Sequence, residues 1–268
     1  MGPCPRRCYA PGSNPFFTDM LTLYRNLFSP PRDLILVVAA IWFGLYLAEK
    51  RSARYGLNND DLNNVVFFPL IGYLLGGRIL FAIENLSAFT QNPASLISLN
   101  LDLFDPFGGL LVAVILALVY GNRRKLPFWS TLDALTPLFA VFAIGLSLAH
   151  LASGSAFGKE TSLPWGMELW GAVRHPSQVY ESLASLLILG LLWFQNVDTR
   201  PGSHFLTFSA LTSAARLFLE AFRGDSTLVL GGFRAAQIIA WAVLALSFFF
   251  LERESRNSST QLVTRSDD

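Results

Sequence analysis

The stretch RHPSQVYES, from Arg174 to Ser182, places a cation, an imidazole, an amide, a phenol and a carboxylate at the start of a strongly apolar run. Such groups can bind an anion, orient a substrate or transfer a proton. A capped helix at a membrane interface, with its tyrosine in the aromatic belt, would explain the same residues without any chemistry. Both interpretations are open at this point. The side chains that could do chemistry are Arg174, His175, Gln178, Tyr180 and Glu181.

Two other polar stretches interrupt apolar runs. In GGRILF, Arg78 follows two glycines, which let another backbone or a ligand approach closely. In RLFLEAFRGDS, the spacing of Arg216, Glu220 and Arg223 by four and three residues predicts one shared helical face. Charges inside a membrane span cost free energy, so they are expected to face a cavity or a partner.

The arginines of these stretches indicate an anion site. Guanidinium groups bind phosphate through paired hydrogen bonds, which suits a phospholipid headgroup. An internal Arg–Glu pair that holds helices together is the structural alternative. The arginines outnumber the carboxylates, which favours binding of an anion. The arginines are Arg78, Arg174, Arg216 and Arg223, and the carboxylates are Glu181 and Glu220.

Long apolar runs must position these residues. The chain has 268 residues, of which 52% are hydrophobic and 15% are charged, whereas soluble domains carry about 25% charged residues. The runs approach the length of roughly 17–25 residues that crosses a bilayer, and the short first and third runs are expected to extend into flanking residues. The composition predicts an all-α integral membrane protein with about seven transmembrane helices. The predicted spans are Leu34–Ala48, Val65–Ile83, Phe107–Tyr120, Ala134–Ala152, Val179–Trp193, Phe205–Phe222 and Ala235–Leu251.

The distribution of basic residues predicts the orientation and the domains. Lys and Arg cluster near Lys50, Arg123 and Arg253, which should therefore be cytoplasmic, whereas the loop from Glu84 to Pro106 has none and should face outward. The N-terminus is then outside and the C-terminus cytoplasmic. We expect a flexible N-terminal tail, a seven-span membrane domain and a polar cytoplasmic tail. Their bounds are 1–30, 31–252 and 253–268.

Composition also limits the partners. Cys4 and Cys8 are followed by no second ligand pair, so neither a metal site nor a cofactor is expected. The net charge of +1 gives no reason to expect nucleic acid. The expected partner at this level is the lipid bilayer itself.

The motifs together resemble the bacterial prolipoprotein diacylglyceryl transferase family. GGRILF is similar to a glycine–arginine stretch of that family. SLPWGM (Ser162 to Met167) followed by RHPSQVYES is similar to its outer loop and most characteristic motif. RLFLEAFRGDS is similar to its late Arg-x-x-x-Glu-x-x-Arg segment. Their order and spacing match from about Leu34 to Leu251.

This resemblance implies a function in lipoprotein biosynthesis. The family transfers a diacylglyceryl group from phosphatidylglycerol to the lipobox cysteine of a prolipoprotein in the bacterial inner membrane. The implied partners are phosphatidylglycerol and the prolipoprotein signal peptide. The resemblance assigns catalytic roles to His175, Tyr180 and Glu181. The phospholipid-binding residues that it implies are Arg78, Arg174, Gln178, Arg216, Glu220, Arg223 and Gly154.

The chain departs from the family pattern at several positions. Phe107 stands where the family usually has a histidine before paired glycines, and Asp33 stands where it has an early tyrosine. In the fourth span, LSLAHLASGS retains only Gly154 from the usual motif. The expected arginine, asparagine and acidic residue are replaced there by Ser147, His150 and Ser155.

These departures leave more than one hypothesis. In an active transferase, His150 is the candidate thiol base, although a hydrogen-bonded packing histidine explains its position equally well. The second hypothesis is a catalytically silent relative that binds phospholipid or lipoprotein signal peptides. A small-solute transporter is a weaker alternative, because no inverted repeat is visible.

Overall fold

A computed structural model describes residues 15–86, 104–195, 200–229 and 231–266. In this part of the chain the backbone forms eight α-helices, two short 3₁₀ helices and two β-hairpins. The α-helices are α1 (Pro15–Leu27), α2 (Leu34–Ser52), α3 (Asn59–Glu84), α4 (Pro106–Arg123), α5 (Phe128–Ser153), α6 (Ser177–Phe194), α7 (Ser203–Leu219) and α8 (Ala235–Ser266). The 3₁₀ helices are Ala53–Tyr55 and Glu220–Phe222. The antiparallel hairpins pair β1 (Met167–Leu169) with β2 (Ala172–Arg174), and β3 (Leu228–Val229) with β4 (Phe233–Arg234).

The helices confirm an all-α membrane protein. In the described part of the chain, the six helices α3 to α8 are long and apolar enough to cross a bilayer. Helix α2 coincides with the first predicted span, Leu34–Ala48, and continues into the charged residues that follow it. Large apolar side chains such as Phe67, Leu74 and Leu187 are exposed along these helices, as expected of surfaces that face lipid. The orientation of the termini stays a prediction.

The chain divides into two compact units, and the first comprises residues 1–48 and 135–268. Helices α2 and α5 pack closely in it, because a side chain at Gly145 would collide with Ala40, and one at Gly44 with the backbone of Leu138. Helix α7 packs against both α6 and α8. Close approach of small residues is the usual basis of helix association in a bilayer.

Helix α1 lies in the predicted flexible N-terminal tail. Its Leu21 packs with Met167 and Leu169 in a buried apolar cluster. The hydroxyl of Tyr24 donates a 2.8 Å hydrogen bond to the carbonyl of Leu148 on α5. These contacts tie α1 to the first unit. At the other end of the chain, the backbone of α8 stays helical to Ser266, through most of the predicted polar tail.

The second unit comprises residues 49–134. Its helices α3 and α4 pack along glycines: a side chain at Gly76 would collide with Val112, and one at Gly77 with Phe104 and the carbonyl of Asp105. Asp105 caps α4 by accepting hydrogen bonds from the backbone N–H groups of Phe107 and Gly108. The two glycines before Arg78 therefore serve the approach of a neighbouring helix. Cys4, Cys8 and most of the predicted outward loop lie outside the described residues.

Candidate functional site

Hydrogen bonds between backbones join three segments of the first unit, which we call the backbone platform. The N–H of Lys159 donates to the carbonyl of Phe222 at 2.8 Å, and the N–H of His175 donates to the carbonyl of Lys159 at 2.9 Å. The N–H of Gly224 donates to the carbonyl of Phe157 at 2.9 Å. The platform thus connects the start of α6 to the end of α7. Its segments are 157–161, 172–175 and 222–224.

Two glycines make this close backbone approach possible. A side chain at Gly158 would collide with the carbonyl oxygen of His175. One at Gly224 would lie 2.7 Å from the carbonyl oxygen of Gly158. The absence of a side chain at both positions therefore brings the motif RHPSQVYES and the segment after α7 into direct contact.

A cluster of charged side chains lies beside the platform, and we call it the ion-pair cluster. The Oε1 atom of Glu181 accepts from Nη1 of Arg216 at 2.7 Å and from Nη1 of Arg223 at 3.0 Å. Nε of Arg216 lies 3.1 Å from Oε2 of Glu220. Arg223 also binds Asp225, with an N–O distance of 2.9 Å. The cluster comprises Glu181, Arg216, Glu220, Arg223 and Asp225.

The geometry corrects one expectation about this cluster. The sequence spacing predicts that Arg216, Glu220 and Arg223 share one helical face. Arg216 and Glu220 do pair one turn apart, but α7 ends at Leu219 and Arg223 has an extended backbone with φ −75° and ψ 140°. Arg223 therefore reaches Glu181 from the platform and not from the helix.

Charges within the cluster are compensated by acidic side chains. Two arginines meet three carboxylates, since Asp225 adds to Glu181 and Glu220. Burial alone would lower the pKa of Arg223, but the charges of Glu181 and Asp225 outweigh burial and raise this pKa above its usual value. The attraction of both arginines for a further anion is reduced by these acidic partners.

Arg174 has a similar environment. Its Nη2 lies 3.3 Å from the carboxylate of Glu160, and its Nε donates to the carbonyl of Leu169. Its guanidinium carbon lies 5.0 Å from the ring centre of Phe157, a favourable cation–π arrangement. The guanidinium thus holds the hairpin of β1 and β2 to the platform.

An aromatic group surrounds the imidazole of the central motif. The indole N–H of Trp165 donates a 2.8 Å hydrogen bond to the hydroxyl of Tyr180. That hydroxyl lies 3.5 Å from Nδ1 of His175. The ring of Phe222 contacts both, with ring centres 5.2 Å from His175 and 5.9 Å from Tyr180. Because the Tyr180 oxygen accepts from Trp165, its own hydrogen is available for His175 or a substrate.

The other polar residues of the motif are buried inside the protein. The side chain of Gln178 is 0% exposed, and its amide donates to the carbonyl of Ser155 at 2.7 Å. The hydroxyl of Ser177 donates to the carbonyl of Ala156 at 2.7 Å. Both side chains bind the turn that follows α5. Gln178, expected to contact phospholipid, supports this turn in the present geometry.

The fourth predicted span, now α5, contains the altered family positions. His150 interacts electrostatically with Glu181 and Arg223, and its buried Nδ1 has no hydrogen-bond partner among the described residues. The hydroxyl of Ser147 donates to the carbonyl of Ala143 in its own helix, and that of Ser155 contacts the hydroxyl of Ser153. His150 is therefore the altered position that combines reactive chemistry with proximity to the ion-pair cluster.

Two further candidates have different surroundings. Gly154 has a φ of +74°, which disfavours any residue with a side chain, and its carbonyl accepts from the indole of Trp170 at 3.0 Å. Arg78 is half-buried on α3 in the second unit. Phe107 is also in that unit, with a side chain 84% exposed. The convergence of Arg78 with the arginines of the first unit stays a prediction.

Sequence reasoning missed several residues that the structure adds to this site. Asp225 and Glu160 could not be identified from helical spacing. Asp225 binds Arg223 two residues away, and Glu160 binds Arg174 on another segment. Trp165 stood inside the quoted stretch SLPWGM without a role. Tyr24 and Arg25 lie on α1, where the mixture of polar and apolar residues gave no signal of a membrane span.

Comparison with known proteins agrees with the motifs. The family model described as prolipoprotein diacylglyceryl transferase matches residues 34–252. A phosphatidylglycerol–prolipoprotein diacylglyceryl transferase of a Nostoc species is 28% identical over 230 residues, covering 79% of this chain and 81% of its own length. The enzyme of the same name from Acaryochloris marina is 27% identical over 274 residues, covering 90% and 99%. That from Bacillus mycoides is 28% identical over 231 residues, covering 81% and 85%.

Proposed function

Because this chain belongs to the prolipoprotein diacylglyceryl transferase family, we propose that it transfers a diacylglyceryl group from phosphatidylglycerol to a cysteine of a prolipoprotein. The family match over residues 34–252 carries this proposal. The chain is a multi-pass protein of the bacterial inner membrane, with six described helices able to cross the bilayer. The polar groups gathered where α6 begins and α7 ends give a membrane enzyme a place to do this chemistry.

The reaction has simple requirements. The cysteine sulfur forms a bond to the terminal glyceryl carbon of the lipid, and the bond from that carbon to the phosphate oxygen breaks. The electron pair of the broken bond leaves with glycerol phosphate, and the thiol proton passes to a base. A thiol of ordinary pKa, about 8.5, is mostly protonated at neutral pH. The site must therefore assist deprotonation and hold the leaving phosphate.

We infer roles for the residues around the ion-pair cluster. His150 is the thiol base, since its imidazole interacts with the charges of Glu181 and Arg223 and its Nδ1 has no hydrogen-bond partner among the described residues. The hydroxyl of Tyr180 and the ring of His175 orient the headgroup. Glu181 accepts hydrogen bonds from its glycerol hydroxyls, whereas Glu220, which is only 1% exposed, holds Arg216. Arg216 and Arg223 fix the carboxylate of Glu181, and Arg174 holds the hairpin of β1 and β2 to the platform.

The acceptor is the lipobox cysteine of a signal peptide. Apolar side chains stand exposed beside the site, where an apolar peptide segment would contact them: Trp165 is 54% exposed and Phe218 is 68% exposed. Such a surface suits a hydrophobic segment that is already in the bilayer.

Transfer by purified protein tests the proposal. The full chain, reconstituted with phosphatidylglycerol, is incubated with a lipobox peptide, and mass spectrometry detects the mass of the added diacylglyceryl group. A peptide with the lipobox cysteine replaced by serine is the control. We expect modification of the cysteine peptide alone. A folded protein that modifies neither peptide would overturn the assignment.

A silent, lipid-binding relative is the second candidate. It is favoured by Phe107, an exposed aromatic ring at the start of α4 that offers no group for proton transfer. This candidate predicts binding of phosphatidylglycerol or signal peptide with no modified product. Complementation of a strain depleted of its own transferase separates the two, because the silent relative would not restore growth.

A further inference from the structure

The charges of the site leave the phosphate without an obvious partner. Among the residues that the structure describes, Arg174, Arg216 and Arg223 each bind carboxylates. An arginine whose donors already bind a carboxylate has fewer donors and less net charge for a second anion. A cation in another environment is needed for a phosphate group.

Arg25 on α1 meets this requirement. Its guanidinium carbon lies 5.9 Å from the ring centre of Trp170. Its Nε is buried and has no hydrogen-bond partner among the described residues. No carboxylate pairs with it within the described part of the chain. Its charge is therefore partly desolvated and not neutralised.

The surroundings hold this guanidinium in place beside the site. A Cβ atom at Gly154 would lie 2.8 Å from Nη2 of Arg25, so the glycine leaves room for it. Trp170, which provides the aromatic face, is fixed by its hydrogen bond to the carbonyl of Gly154. The next residue, Ser155, is held by the buried Gln178. Arg25 thus lies on the turn that the central motif supports.

The two faces of helix α1 are those of a helix at a membrane interface. Its outer side presents Met20, Leu23 and Leu27, which are 57%, 61% and 55% exposed. Its inner side is fixed by Leu21 and Tyr24. A short helix with an apolar outer face and a basic residue is typical of the membrane interface, where phospholipid headgroups lie.

We propose that Arg25 binds the phosphate of the phospholipid substrate, from a helix that precedes the family-matched residues 34–252. This inference rests on the proposed function. The guanidinium donates hydrogen bonds to the phosphodiester oxygens, and the stacked Trp170 limits its motion. Arg25 remains bound to the phosphate as negative charge grows on the leaving glycerol phosphate.

Kinetics and binding of one variant test the proposal. Arg25→Gln removes the charge and keeps a polar side chain, and Arg32→Gln removes a nearby exposed arginine as a matched control. Loss of a charge-assisted hydrogen bond should raise the KM for phosphatidylglycerol about 10- to 100-fold. Arg32→Gln should leave the KM within about twofold. Short-chain diacylglycerol, which has no phosphate, should bind the unmutated protein and Arg25→Gln equally.

The possible results separate the explanations. An unchanged KM, or an equal loss of diacylglycerol binding, would overturn a phosphate contact. If Arg25→Gln does not fold, Arg25→Lys decides: retained preference for phosphatidylglycerol over diacylglycerol supports the proposal, and loss of that preference opposes it. Inorganic phosphate that displaces the lipid at equal concentration would assign the site to free phosphate instead.

The two proposals can fail separately. If the unmutated protein transfers no diacylglyceryl group, the proposed function fails, and the binding comparison still tests Arg25. If it does transfer the group while Arg25→Gln has an unchanged KM, only the role of Arg25 fails.

Discussion

Each unit of the chain holds an acidic side chain bound to arginine, in contrasting surroundings. In the first unit, Glu181 is 14% exposed and one of its oxygens binds both Arg216 and Arg223. In the second unit, Asp61 binds Arg124, whose side chain is 57% exposed, and Tyr120. Asp61 itself is 16% exposed, close to the value for Glu181, but its partner Arg124 is solvated and water screens the pair. The contrast indicates that the ion pairs of Glu181 fix the positions of several segments. The ion pair of Asp61 with Arg124 adds little to the stability of the fold.

The largest expected difference follows from removal of each carboxylate charge. Glu181→Gln leaves two arginines without their shared partner, so the free energy of unfolding should fall by about 3 kcal/mol and transfer should be lost. Asp61→Asn should lower the free energy of unfolding by no more than about 1 kcal/mol and leave transfer unchanged. Chemical denaturation in detergent and the peptide assay measure both. Equal destabilisation by the two variants would contradict the contrast.

His150 tests whether the ion-pair cluster is part of a catalytic site. Loss of a general base typically lowers a rate by a factor of about 10²–10⁴. We expect His150→Ala to lower kcat by that factor and to leave binding of phosphatidylglycerol nearly intact. Ser147→Ala, one turn away and bonded only within its helix, is the matched control. An unchanged kcat would remove His150 from the mechanism.

Two tyrosines give a smaller and more selective comparison. The hydroxyl of Tyr180 accepts from Trp165 and lies near His175, whereas that of Tyr120 lies 3.2 Å from Asp61. Each change to Phe should cost about 1 kcal/mol of stability. Only Tyr180→Phe should lower kcat, by about tenfold, because His175 loses its orientation. A similar fall in kcat for Tyr120→Phe would show that the effect comes from stability.

The smallest expected effect appears only at alkaline pH, in the second unit. Burial, reinforced by the charge of Asp133, raises the pKa of Tyr55 from 10.0 to about 12. The folded protein holds the proton of Tyr55 more tightly than the unfolded chain does. The contribution of this tyrosine to the free energy of unfolding is therefore intact below pH 10 and is lost as the pH rises towards 12. Tyr55→Phe should flatten the fall of stability over that interval. An unchanged slope in denaturation measurements would exclude Tyr55 as its source.

The helices were predictable because apolar runs of membrane length determine them directly. The seven predicted spans correspond to α2 through α8, with shifts at the ends, and the pair of Arg216 with Glu220 followed from helical spacing. Helix α1 was not predicted, because it is too short and too polar to resemble a span. Its order comes from packing against Met167 and Leu169, which are distant in sequence.

The sequence predicted which types of residue gather at the site, but only part of which side chains pair with one another there. Spacing on a helix could not reveal that Arg223 binds Glu181, because α7 ends before Arg223 and the contact depends on the backbone platform. The sequence likewise suggested an excess of cations, which Asp225 and Glu160 offset. The phospholipid contact that the resemblance implies for Gln178 stays a prediction, and the complete burial of Gln178 depends on a turn formed by residues over twenty positions earlier.

The glycines of the backbone platform have a consequence for how this sequence can change over time. Lipid-facing positions on α6 can exchange one apolar residue for another with little effect on neighbouring segments. At Gly158 and Gly224, even the smallest side chain would meet backbone atoms, which cannot rotate away as a side chain can. A lineage that replaced either glycine would separate Glu181 from Arg223 in a single step. Variation is therefore expected to accumulate on the lipid-facing surface while the two motifs are inherited together.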